Sequence, residues 1–348
     1  MTAVADGGGP SDEWDATNQD KWLASLATLF VIPEEYRDER FDRAAAAELL
    51  GCGEKLLDTL IANGLPHGGE TGDERFDRFD LVNLALYSGV GTSVPEKATR
   101  YALRWMHESP ESLYTAKRWD FSIKLSCAAQ AGCGDDPQWT IARPVPELQG
   151  GSVESLTLNG RNARSEHLDL VSEGPEGLAV EAVLISDGTR QEIVSPVLRE
   201  ILTQFATDYR WVRMPEPLQW RTDLVLPQKA APCIASCLEL VEQCRAAGFE
   251  ARTRRGWILG MLDLAHSWLE VVDSDGVLKM VDPAFMILAA HHAERPHPDF
   301  REACLGSQLN RLLPTEHHAD QPVLGHTCGG TWSAPNQKTM IQLAQRPA

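Results

Sequence analysis

Residues 232–285 read PCIASCLELVEQCRAAGFEARTRRGWILGMLDLAHSWLEVVDSDGVLKMVDPAF. A proline suits the first turn of a helix, where its missing N–H would have no helical partner, so Pro232 places Cys233 at a helix start. Ile234, Leu238 and Val241 recur on one face and anchor that helix in a core, and Gly248 ends it. The helix dipole and the free N–H groups of a first turn favour a thiolate, the nucleophilic form of cysteine. Phe249-Glu-Ala-Arg-Thr then begins an extended segment.

Ala265–Val271 alternates with period 2, so His266, Trp268 and Glu270 share one face of a strand. Asp273-Ser-Asp-Gly276 is a turn, and the next strand, Val277–Asp282, returns Asp282 towards His266. Thiol, imidazole and carboxylate are the groups that nucleophilic catalysis needs in a row, the carboxylate fixing the ring's tautomer and stabilising imidazolium. Cys237, one turn along the helix, and Cys244 read as buried packing.

Taken together, Cys233, Gly248-Phe-Glu-Ala-Arg252, HSWLEV at 266–271 and Val281-Asp-Pro283 resemble the transglutaminase-like, papain-related superfamily of thiol enzymes. The likeness runs from Val194 through Phe285. It implies Cys233 as nucleophile, His266 as general base and acid, and Asp282 as orienting group, and the spacing to Gly248 favours Cys233 over Cys237. This chain departs from the family in having Ala231-Pro232 before the cysteine, Ile234 after it, and Phe249-Glu250 where Ile-Pro is common. Those departures leave the reacting groups in place and the substrate class open. An oxyanion stabiliser is also required. The Cys233 N–H is one candidate; Gln228 and Trp220 are side-chain candidates. Trp268 and Glu270 are expected at the substrate site.

Upstream, the helix Val194–Tyr209 precedes a loop containing Trp220. Between Trp119 and Asp187 short alternating runs broken by Gly, Pro, Asn and Asp predict a small antiparallel β-domain, with Asn159-Gly160 as a turn. Its Ala142-Arg-Pro-Val-Pro-Glu-Leu148 also looks like the β-domain that precedes many bacterial transglutaminase-like cores. Val94–Glu111 reads as a connecting helix.

Residues 40–89 carry AAELLGCGEKLLDTLIANGLP followed by RFDRFDL, an order that resembles the winged helix-turn-helix of excisionase and MerR-type proteins. In that family the second helix reads the major groove. Here it holds Glu54 and Asp58 beside Lys55, and carboxylates outnumber bases across the module. A docking role for a peptide or carrier protein is therefore expected, and nucleic-acid binding is disfavoured. The helix Lys21–Ile32 precedes this module.

The chain has 348 residues, 43% hydrophobic and 24% charged, with a net charge of −18. An acidic surface of this size repels phosphate backbones and anionic membranes. No apolar run reaches the roughly 20 residues that cross a bilayer, and the acidic, Gly-rich start is unlike a secretory signal, so a cytoplasmic location is expected. The eight cysteines show no CxxC pairs, and the histidines at 291–292, 297 and 317–318 match no zinc spacing. No metal and no organic cofactor are assigned.

The expected architecture is α+β: a disordered tail (1–20), a helix and winged-helix-like module (21–95), a connecting helix (96–118), a β-domain (119–188), a transglutaminase-like catalytic domain (189–325) and a loose C-terminal tail (326–348). The expected reaction is acyl transfer through a thioester, from an acyl donor to an amine or water, leaning to amide formation on a small-molecule, peptide or carrier-bound acyl group. Peptidase or amidase hydrolysis by the same residues is the alternative. Two other classes are a DNA-binding regulator with a catalytically silent sensor domain and a non-enzymatic scaffold.

Overall fold

The computed structural model describes residues 12–128, 133–163, 167–260, 265–291 and 296–344. The chain divides into two compact units: one gathers the chain up to Arg104 with Arg210–Pro232, the other gathers Trp105–Tyr209, Cys233–Ala290 and the chain beyond residue 295.

The first unit is helical. Its opening helix, Asp12–Ala27, begins well before Lys21, so part of the stretch expected as a tail is ordered, and Trp22 is its fully buried anchor. The helix Arg43–Leu50 starts at Asp42, whose side chain accepts the Ala45 N–H, and Gly51 at φ +66° lets the chain reverse into the helix Glu54–Ala62. Isolated bridges Gly68↔Arg75 and Phe41↔Phe76 follow, then the helix Arg78–Ser88 capped by Asp77. Trp22, Leu50, Leu57, Leu60, Phe76 and Leu84 close one hydrophobic core. Carboxylates occupy the bases here: Arg43 pairs with Asp58 and Glu74, Arg75 with Asp73, Arg40 with Asp38, and Arg37 with Asp80 and Glu39.

The second unit holds the sheets. Its strands are β1 (Lys117–Ser126), β2 (Gln138–Ala142), β3 (Ser152–Leu158), β4 (Arg161–Asn162), β5 (Asp169–Glu173), β6 (Leu178–Ser186), β7 (Ala251–Ile258), β8 (Ala265–Val272), β9 (Leu278–Val281), β10 (Leu305–Gly306), β11 (Leu312–Pro314), β12 (Leu324–Cys328), β13 (Thr331–Ser333) and β14 (Asn336–Leu343). They form three antiparallel sheets in the orders β14-β1-β6-β3-β4, β10-β9-β8-β7-β11 and β13-β12-β2-β5. The alternating runs between 119 and 187 thus become strands as their period predicts. Inward residues such as Phe121, Ile123, Val180 and Leu184 share a core with Trp257 and Leu313 of the β10-β9-β8-β7-β11 sheet.

The C-terminal stretch departs from expectation. Instead of a loose tail, β14 pairs along the whole of Trp119–Ser126, and β12 joins β2 to β13. The edge of β1 offers a row of unpaired backbone groups, and residues 336–343, unremarkable in hydrophobicity, satisfy them through the main chain. Among the described residues no helix is long and apolar enough to cross a membrane.

Candidate active site

Cys233 opens the helix Cys233–Ala246, as the proline before it predicts. The helix packs on β7 and β8 and buries Ile234, Cys237, Leu240, Val241 and Cys244, while Cys233 itself is only half-buried. Burial pushes the Cys237 thiol well above its ordinary range, and the Cys244 thiol up to about 11. Neither is ready to ionise, so Cys233 is the thiol of this helix that is open to reagents.

His266 is the second residue of β8, the central strand of its sheet, and lies across from Gly256 in β7. A Cβ at Gly256 would stand 2.0 Å from the Leu313 carbonyl oxygen and 3.0 Å from the Trp268 ring, so glycine is what lets β7, β11 and the His266 strand close together. The imidazole stacks on Phe285, with ring centroids 4.9 Å apart at 18°.

His266 Nε2 lies 2.6 Å from Asp282 Oδ2. With that nitrogen committed to the carboxylate, Nδ1 is the ring nitrogen left to meet Cys233, whose side chain adds to the upward shift of the imidazole pKa. Asp282 is fixed from three sides. Its Oδ1 accepts the Phe285 N–H at 3.0 Å, its carbonyl accepts the Met286 N–H at 3.1 Å, and its own N–H donates to the Cys304 carbonyl at 3.0 Å. The Val-Asp-Pro sequence explains this local structure: Asp282 caps the helix Pro283–His291 and proline fills its first position. The β8–β9 hairpin sets the reach, pairing Leu269 with Val281, so the next residue leaves the sheet beside the His266 face.

His266 and Asp282 are 4% and 2% exposed. Burial alone would lower the imidazole pKa. The Asp282 charge and hydrogen bond, with the Cys233 side chain, outweigh it and raise His266 from 6.5 to about 10. The ring therefore holds its proton at neutral pH.

The remaining sequence candidates have surroundings of their own. Trp268 (0% exposed) and Glu270 (4% exposed) share the His266 face, yet both are inside the protein. Glu270 accepts from Arg252 Nε at 2.6 Å and from Arg254 Nε and Nη2 at 3.0 Å each, and Arg254 also donates to the Thr315 carbonyl. That carboxylate is occupied by a buried ion pair rather than turned to a substrate. Trp220 is half-buried after the short helix Glu216–Gln219, Gln228 is exposed with its amide on the Leu224 carbonyl, and both belong to the first unit. His317 pairs with Asp169 and with the Pro322 carbonyl, and His318 with the Thr253 carbonyl, as packing histidines do. His292 lies outside the described residues.

One group was not legible in the sequence as a site. Among the described residues, Cys127, Cys133, His326 and Cys328 bring their ligand atoms within 4.8 Å of one another.

No protein-family model matches the chain, and no curated protein matches it. Among solved structures it is similar to one from Cytophaga hutchinsonii described as a "putative cysteine protease". That likeness has 10% identity and a TM-score of 0.46, and covers 67% of this chain and 93% of the other.

Proposed function

We propose that the protein is a cysteine-dependent acyl-transfer enzyme of transglutaminase-like type, with Cys233 as nucleophile, His266 as general acid and base, and Asp282 as the group that orients and charges the imidazole. The observation that carries this is the buried His266–Asp282 pair, 2.6 Å apart, on the strand against which the helix opened by Cys233 packs.

In the first half-reaction the Cys233 sulfur, its proton held by His266, attacks an amide or thioester carbonyl. The oxygen gains negative charge, and in this proposal the N–H groups at the start of the Cys233 helix receive it. His266 then returns its proton to the leaving amine or thiol, the carbon–heteroatom bond breaks, and a Cys233 thioester remains. In the second half-reaction His266 takes a proton from the acceptor as it attacks, and the thiol is regenerated. An amine acceptor gives an amide and water gives the acid. We assign the amine as physiological acceptor and hydrolysis as the competing reading of the same residues.

The first unit, in this proposal, is a winged-helix-like module that docks the peptide or carrier bearing the acyl group. Its pair of helices around Gly51, the bridges at 68–76 and the helix after Asp77 support that reading. Arg37, Arg40, Arg43 and Arg75 each already pair with a carboxylate of the same unit, which makes a poor surface for phosphates and argues against a DNA-binding regulator.

The experiment uses a panel of activated acyl thioesters, with intact-protein mass spectrometry and peptide mapping, in the presence and absence of hydroxylamine or a primary amine. The proposal expects an acyl adduct on Cys233, absent from Cys233→Ala, that an amine discharges as amide faster than water discharges it as acid. An adduct that persists in Cys233→Ala overturns the nucleophile. Discharge to acid alone, at any amine concentration, overturns the amine assignment and leaves the hydrolase.

A further inference from the structure

We propose that Cys127, Cys133, His326 and Cys328 form a structural zinc site that fastens the C-terminal β-hairpin to the β1–β2 connection. Cys127 directly follows β1 and Cys133 precedes β2, while His326 and Cys328 sit two apart on β12 and so project from the same face of that strand. All four ligand atoms lie within 4.8 Å of one another. A tetrahedral site with Zn–S near 2.3 Å and Zn–N near 2.0 Å places its ligand atoms about 3.5–3.8 Å apart. The Cys133 Sγ to His326 Nε2 distance is 3.7 Å.

The surroundings of the ligands are those a metal needs. His326 Nδ1 lies 3.0 Å from the Gln138 carbonyl oxygen, which can only accept, so Nδ1 carries the proton and Nε2 turns a lone pair towards the sulfurs. Trp139 holds the ring in place by stacking, with centroids 3.7 Å apart at 9°. Cys328 Sγ accepts the Gly134 N–H at 2.8 Å, and the Gly329 N–H donates to the Asp135 carbonyl at 3.2 Å, so the two cysteine turns are bonded to each other. N–H donors of this kind stabilise a ligating thiolate.

Three sulfurs and one imidazole, without a carboxylate, form a soft donor set that selects zinc over magnesium or calcium. Four protein ligands complete a tetrahedron and leave no position for water or substrate, so the role is structural and separate from the Cys233 chemistry. The site joins residues 193 positions apart in the chain, Cys133 and His326. It thereby holds β12 and β13, the strands just before the edge strand β14.

The test is zinc content by inductively coupled plasma mass spectrometry, on full-length protein expressed with zinc and purified under reducing conditions. The proposal expects one zinc per chain, kept in Cys233→Ser and in Cys244→Ser and lost in the Cys133→Ser/Cys328→Ser double variant. X-ray absorption on the wild type, which needs no variant to fold, should show three sulfur and one nitrogen neighbours at about 2.3 and 2.0 Å. Protein with only trace zinc overturns the proposal, as does zinc that survives in the double variant, departs in Cys233→Ser or shows an oxygen-dominated shell.

Discussion

Asp282→Asn separates charge from shape at the centre of the site. Asparagine keeps a side-chain oxygen for the Phe285 N–H, so the cap on the helix Pro283–His291 survives, while an amide NH2 replaces the oxygen facing His266 and removes both the negative charge and the acceptor there. His266 titrates near 6.5 in the unfolded chain and near 10 in the folded protein. A group raised in this way stabilises the fold fully below its unfolded pKa, and that contribution fades as pH climbs to the folded one. At about 1.4 kcal/mol per unit, the pair contributes on the order of 3–4 kcal/mol at pH 7 and less than about 1 kcal/mol near pH 10. Urea unfolding followed by tryptophan fluorescence should therefore show wild type more stable than Asp282→Asn at pH 7 and nearly equal to it at pH 10. Loss of the imidazolium should also slow Cys233 chemistry by roughly 10²–10⁴-fold at neutral pH. A stability gap that stays constant from pH 6 to pH 10 would refute the argument, because only the charge pair carries that pH dependence.

Three further outcomes follow from particular contacts. Glu270→Gln leaves Arg254 buried without its counter-ion and should cost about 3–5 kcal/mol in chemical unfolding; a change within about 0.5 kcal/mol would mean the pair is not desolvated as it is drawn. Gly256→Ala sets a Cβ against the backbone of Leu313 and should lower the melting temperature more than Gly276→Ala, where φ is +73° but the space is open. Equal losses at the two glycines would show that β7 and β11 do not approach so closely. Removal of residues 336–348 uncovers the edge of β1 and should raise aggregation, read by light scattering, and an unchanged, monodisperse protein would speak against the β14 pairing.

Local signals made much of the second unit readable. Pro232 marked a helix start, the Val-Asp-Pro run marked a cap, and the period-2 face carrying His266 gave β8, because each of these depends on neighbours in sequence. The β-domain strands were equally plain, since Phe121, Ile123 and Leu125 alternate with polar residues. Position on a face did not reveal burial, however. Trp268 and Glu270 share the His266 face, but whether that face is open depends on what covers it, and Glu270 was claimed by Arg252 and Arg254 of the neighbouring strand β7. The opening helix from Asp12 was obscured because its first turns are polar, and the C-terminal strands because main-chain pairing with β1 and β2 leaves no mark in composition. The Cys127, Cys133, His326 and Cys328 cluster was hidden for a related reason. Its halves are unremarkable pairs until the β2–β12 register brings His326 opposite Trp139.

The central claim, that His266 and Asp282 activate Cys233, is tested most directly by alkylation with limiting iodoacetamide across a pH series, mapped by peptide mass spectrometry over all eight cysteines. The account predicts that Cys233 is modified first at neutral pH, and that its rate falls at least tenfold in His266→Ala while the other thiols react as before. First labelling at Cys237 or elsewhere, or a Cys233 rate indifferent to His266, would contradict it.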